Sequence, residues 1–209
     1  MKLWTSANSM KPSEIYKALL GYKNVESDMC SQKSQCTIFS TCSAKSVTKV
    51  IDFDKIKDEY CKSNAIHPLW KSVDGVCAKQ DDSLFLFIEK KSWLQFFVHQ
   101  EHSEEKVSEQ ANDFSLNDKY EKSVEICSKI TGQMNLFTED NHAFLFFSDI
   151  NPDDSPLIAL QYNLNMLAGT STDIKAFAVE TTHQEIDKVK CKKRRYVFCR
   201  NFDNFIRGS

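Results

Sequence analysis

The sequence predicts an α/β fold, a central mixed β-sheet flanked by helices. Two fully apolar runs, residues 84–88 and 143–147, read as strands buried on both faces. Two other segments, residues 50–61 and 118–130, carry their apolar side chains at helical spacing and read as amphipathic helices. Helices and strands that follow one another in this mixed order point to α/β layers rather than to separate all-α or all-β units. The 209 residues leave room for one domain with a full core, and 15 Phe, 6 Tyr and 3 Trp supply the bulk to fill it.

From the N-terminus, residues 13–20 have a short helical pattern around Ile15 and Leu19, then give way to polar text through Ser46. Residues 1–48 therefore read as a small N-terminal extension and residues 49–209 as the main domain. The helix at 50–61 carries Phe53, Ile56 and Tyr60 behind the cap candidates Asp52 and Asp54, with Asp58 and Glu59 in its last turns. Pro68 stops helical continuation, and residues 70–78 read as a short extended segment holding Asp74, Gly75 and Val76. A turn at residues 80–83 leads into the strand at 84–88, which ends in Glu89, Lys90 and Lys91. Residues 100–117 are polar and read as a solvated loop or exposed helix. Gly132 terminates the helix at 118–130, and Tyr120, Val124 and Ile130 on it are core-facing. After the strand at 143–147 come a turn at 151–154, a third helix at 157–167 and strands at 174–180 and 195–199.

Composition excludes several chemistries. The 5 glycines lie too far apart for a P-loop, a dinucleotide-binding turn, a kinase glycine loop or a G-x-S-x-G elbow. The 8 cysteines include no C-x-x-C pair, and they read as reduced and partly buried. No secretory or membrane-spanning run is present, so a cytoplasmic protein with no membrane partner is expected. A net charge of −2 means that any polyanion must be met locally.

The chemistry concentrates at the two central strands. Side chains alternate along a strand, so Glu89 and Lys91 share a face and Lys90 takes the other. A hairpin through Asp81 and Asp82 would bring Asp74 beside Glu89, and two converging carboxylates suit Mg²⁺ with waters and a phosphate oxygen. The bland alternative is an ordinary ion pair at a strand end.

Asp74-Gly75-Val76, followed across the hairpin by Ile88-Glu89-Lys90-Lys91, resembles the core of the PD-(D/E)XK nuclease superfamily, the restriction-endonuclease-like fold. The likeness spans residues 50–147 and leaves the first 49 unexplained; Val73 stands where the eponymous proline would. The resemblance implies that Asp74 and Glu89 bind the metal, that Lys91 positions or activates the attacking water, and that Glu59, or alternatively Asp58, assists from the helix as a further metal ligand. It implies a Mg²⁺-dependent DNA endonuclease, with Mn²⁺ as a substitute. A protein partner or self-association would supply DNA affinity, as in a bacterial anti-phage defence or restriction system. The alternatives are an inactive nuclease scaffold that serves as an assembly module, and a cysteine-based zinc protein.

Weaker features remain. The cluster of Lys188, Lys190, Lys192, Lys193, Arg194 and Arg195 suits DNA-backbone contact or, equally, a charged edge strand that blocks aggregation. His99 and His102 lack zinc spacing and read as a solvated loop. Cys30, Cys36 and Cys42 match no common zinc module, and Lys119 and Lys122 could face a substrate.

Overall fold

The structure is a computed structural model and describes residues 10–22, 24–30, 46–99, 103–151 and 174–207. Among these residues it is an α/β molecule with a six-stranded mixed sheet whose spatial order follows the chain. Strands β1 (Glu26–Asp28), β2 (Lys49–Asp52), β3 (Gly75–Ala78) and β4 (Phe85–Lys91) form an antiparallel meander. Strands β5 (His142–Ser148) and β6 (Arg194–Phe198) continue the sheet parallel to β4.

Parallel neighbours require crossovers, which helices provide. Between β4 and β5 the chain forms α3 (Trp93–His99), α4 (Glu104–Asp113) and α5 (Leu116–Thr131); between β5 and β6 it forms α6 (Ile174–Asp187). Helix α1 (Pro12–Leu19) precedes the sheet, α2 (Phe53–Ser63) follows β2, and α7 (Phe202–Arg207) closes the described chain.

Both faces of the central strands are covered, which explains the apolar runs. Phe85, Phe87, Phe144, Phe146 and Tyr196 pack with residues of α1, α4, α5 and α6. On the opposite face Leu86, Ile88, Leu145, Phe147 and Val197 pack with Phe202 and Ile206 of α7. Within the stretch read as an extension, Ile15 and Leu19 of α1 are fully buried and β1 pairs with β2. Ser13 at the start of α1 donates from its backbone N–H and its hydroxyl to Asp82 in the β3–β4 turn, tying α1 to that hairpin.

Two local readings are corrected and a third is decided. Residues 50–52 are not helical: Val50 and Ile51 satisfy their backbone in the sheet, and Asp52 caps α2 by accepting from the Lys55 N–H. The segment 174–180 is helix, not strand. Its alternating Ile174, Ala176 and Ala178 imitate period two, but burial continues through Val179, Thr182 and Ile186 at helical spacing. Of the two readings of the polar stretch after Gln100, helix holds and loop does not: α4, capped by Ser103, buries Val107 and Ala111 and leaves its other residues exposed or half-buried. The expected helix at 157–167 and most of the turn before it lie outside the described residues. Among the described residues no helix is long and apolar enough to cross a membrane.

Candidate active site

The β3–β4 hairpin builds the site. Its register pairs Gly75 with Ile88 and Val76 with Phe87, so one further step sets Asp74 opposite Glu89 with both side chains on the same face. That face also carries Phe85, Phe87 and Lys91, and α5 crosses it. Lys90 points to the other face, where its ammonium donates to the Met29 carbonyl.

The charges are buried. Asp74 is 4% exposed and Glu89 0%. Asp74 Oδ2 accepts from the Lys90 backbone N–H at 2.6 Å and lies 3.9 Å from Lys91 Nζ. Glu89 Oε1 accepts from Lys91 Nζ at 2.7 Å and from Lys119 Nζ at 2.5 Å. Lys91 thus touches both carboxylates, and Asp74, Glu89 and Lys91 converge on one point as the strand alternation requires.

Lys119 enters from α5, whose placement depends on a second buried link. Ser123 donates its hydroxyl to the Lys119 carbonyl and accepts from the Val73 N–H, which locks α5 to the residue preceding Asp74. One turn before Lys119, Ser115 accepts from Lys71 Nζ at 2.8 Å, adding a third lysine beside the same helix.

Burial, followed by the charge of Asp74, pushes the Glu89 carboxyl up to about 7, against the pull of Lys91 and Lys119. Burial also works to lower Lys91, but the charges of Glu89 and Asp74 outweigh it and hold the amine above its ordinary value. Lys91 is therefore a cation at neutral pH. Glu89 Oε2 is buried and has no hydrogen-bond partner. Leaving a carboxylate oxygen dry and unpartnered costs on the order of 1–3 kcal/mol or more, so this atom faces inward at a penalty.

That orphaned oxygen, with Asp74 across the hairpin, fits a hard divalent cation. Mg²⁺ commonly takes one or two carboxylates and completes its octahedron with waters and substrate oxygens. Among the described residues no group of three or more His, Cys, Asp and Glu is arranged to hold a metal ion. Asp74 and Glu89 are therefore the two carboxylates that could hold such an ion here.

The expected helix acids stand apart from this cluster. The Phe53 N–H donates to the Asp74 carbonyl, so the start of α2 is anchored at the site. Glu59 comes six residues later, about 9 Å along the helix axis, and is exposed with its charge felt at Tyr22. Asp58 pairs with Lys57. The α2 acid nearest in linkage is Asp54, which pairs with Lys57 and accepts from the Ser72 hydroxyl.

The basic segment is also elsewhere. Lys190 pairs with Glu121, Lys192 with Glu139, Lys193 with Asp140 and Arg194 with Asp187, while Arg195 is exposed. Lys190 also donates its N–H to Asn117, on the α5 face shared with Glu121; Lys119 and Ser123 occupy the opposite face. Helix α5 therefore stands between the basic segment and the carboxylates. Lys122 lies over the Trp70 ring at 4.3 Å and pairs with Glu125, away from Glu89. Cys30 accepts from the Ser46 N–H. Cys36, Cys42 and His102 lie outside the described residues, as does the His99 side chain.

Lys119 is the residue whose role sequence reasoning left open, and a signal for it existed. It continues the stripe of Ser123 and Cys127 at intervals of four, so it belongs to the buried side of α5 and not to its solvated side. No family model, no curated protein and no solved structure matches this chain.

Proposed function

We propose that the protein is a divalent-metal-dependent nuclease that hydrolyses phosphodiester bonds of DNA, built on a restriction-endonuclease-like core. The observation that carries this reading is Glu89: fully buried, with one oxygen unpartnered, set beside Asp74 and bridged to it by Lys91. A meander of β2, β3 and β4, followed by α5 and the parallel strand β5, supports the core assignment.

Asp74 and Glu89 would hold Mg²⁺, or Mn²⁺ in its place. The ion supplies a Lewis acid for the phosphate and lowers the pKa of a bound water. The chain's own residues do the rest. Lys91, held protonated by its two carboxylate neighbours, acts as a cation that aligns a water and a non-bridging phosphate oxygen. It does not serve as a base at neutral pH. Glu89 must be ionised to offer Oε2, so metal uptake rises as pH passes through about 7.

Lys119 meets Glu89 from the first turns of α5, and Lys71, which donates to Ser115 ahead of that helix, adds an exposed cation at the same helix end. Contact of DNA with Lys190, Lys192, Lys193 and Arg194 would require phosphate to compete with the carboxylates paired there, while Arg195 is exposed. With a net charge of −2, strong DNA affinity calls for a protein partner or self-association, as in a bacterial defence or restriction assembly.

A second reading, an inactive nuclease scaffold that docks in a larger complex, draws support from two lysines sharing Glu89 and from the absence of a third carboxylate among the described residues. One experiment separates the two. Supercoiled and linear DNA are incubated with wild type, Glu89→Ala and Lys91→Ala in Mg²⁺, Mn²⁺ and EDTA. Cutting by wild type alone, abolished by EDTA, supports the nuclease; equal cutting by all three proteins contradicts it, and no cutting under any condition favours the scaffold.

A further inference from the structure

The metal-facing carboxylate has more cation around it than a single positioning lysine requires. Glu89 Oε1 receives two ammonium groups, Lys91 from its own strand and Lys119 from α5, while Oε2 receives none. Once Glu89 is ionised, Asp74 and Glu89 carry two negative charges against the two positive ones of Lys91 and Lys119, so the quartet is then balanced without a metal. A divalent cation at Oε2 would be attracted by the carboxylates but repelled by both ammonium groups on Oε1, so its binding favours the departure of one of them.

Geometry selects Lys119. Lys91 is held by both carboxylates and lies 5.9 Å over the Phe114 ring, so its position is fixed from several sides. Lys119 meets Glu89 at Oε1 alone and projects from α5, ahead of which Ser115 accepts from Lys71 of the segment before β3.

We propose that Lys119 is an exchangeable cation of the site: it neutralises Glu89 in the metal-free protein and transfers to the substrate's phosphate when a divalent cation takes Glu89. This rests on the nuclease reading and adds a substrate-contacting residue that the strand motif does not contain. The exchange moves one ion pair and breaks no covalent bond. It keeps the buried carboxylate from standing uncompensated when no metal is bound, and it supplies a cation to the phosphate as the metal arrives.

The two roles of Lys119 pull in opposite directions, which makes the idea testable. Mn²⁺ binding is measured by calorimetry on wild type, Lys119→Met and Lys119→Arg, alongside single-turnover cleavage of a DNA duplex. Removing the competing charge should tighten Mn²⁺ binding roughly threefold to tenfold, while cleavage falls by about tenfold or more. Lys119→Arg should move both values back toward wild type. Lys119→Gln repeats the comparison should Lys119→Met fail to reach the folded state by circular dichroism.

Mn²⁺ binding that weakens or stays unchanged, or cleavage that survives intact, overturns the exchange and leaves the nuclease reading standing. A wild type that binds no Mn²⁺ and cuts nothing removes both.

Discussion

Lys190, Lys192 and Lys193 meet Glu121, Glu139 and Asp140 in water, whereas Lys91 and Lys119 meet Glu89 inside the protein. Both places pair lysine with a carboxylate, but at the surface each lysine has its own partner in water, whereas inside one buried carboxylate is shared by two. At the surface such pairs are screened by salt and hold little structure together. In the interior, ion pairing seldom repays desolvation, so a buried carboxylate with an idle oxygen calls for another reason to exist. The comparison teaches that charge density along the sequence is a poor guide to where chemistry happens. The densest basic run is solvated and largely paired with acids, while the buried charged quartet proposed as the site comes from three separate segments.

The sharpest break in this contrast comes at Glu89. Glu89→Gln keeps the shape and removes the charge, and it should reduce Mg²⁺-dependent DNA cleavage roughly a hundredfold to a thousandfold or more, with circular dichroism unchanged. Lys91→Met should do the same. The matching surface change, Lys192→Ala, should leave single-turnover cleavage at saturating protein close to wild type.

Next in size is the support beneath the site. Phe87 is fully buried between Phe85, Phe137 and Tyr120, on the strand that carries Glu89. Phe87→Ala should lower unfolding free energy by about 3–5 kcal/mol, measured by urea denaturation. Such a loss would also disturb the hairpin register that pairs Asp74 with Glu89.

A smaller effect, with a definite sign, is pH dependence. The Glu89 carboxyl is raised in the folded protein from 4.5 to about 7, so between those values the folded state binds the extra proton. Its stabilising contribution is complete below pH 4.5 and is lost as pH rises through about 7. Metal-free wild type should therefore lose stability across that window relative to Glu89→Gln, which cannot titrate. Urea midpoints at several pH values, compared between the two proteins, read this directly; parallel profiles would contradict it.

The smallest effect belongs to the basic segment. Lys192→Ala combined with Lys193→Ala removes two exposed pairs and should leave Tm nearly unchanged. DNA affinity should fall less than for Lys71→Ala, whose side chain lies beside α5. Fluorescence anisotropy over a salt series distinguishes the two.

How legible the molecule is in its sequence depends on whether local pattern and tertiary burial agree. They agree for the apolar stretches 85–88 of β4 and 143–147 of β5, buried on both faces, and for α5, whose stripe ends at Gly132 in the left-handed conformation. They disagree at β2, where Val50 and Ile51 run directly into the apolar spacing of α2, so that strand and helix read as one element. At α6, small residues bury a wide face and leave weak helical periodicity, so the alternation of its first residues misleads.

The same division runs through the site. Asp74, Glu89 and Lys91 were readable because a two-residue period and one hairpin bring them together. The placement of Glu59 was not, because the start of α2 depends on where β2 ends. The link from Lys119 to Glu89 depends on how α5 crosses the sheet, which no local spacing encodes.

The most direct test of the central claim is Mn²⁺ binding by calorimetry at pH 8, comparing wild type with the double variant Asp74→Asn, Glu89→Gln. Binding by wild type with about one ion per chain, lost in the double variant while its fold persists, is the predicted result. Equal binding by both proteins, or none by wild type, would contradict a metal held between these two carboxylates.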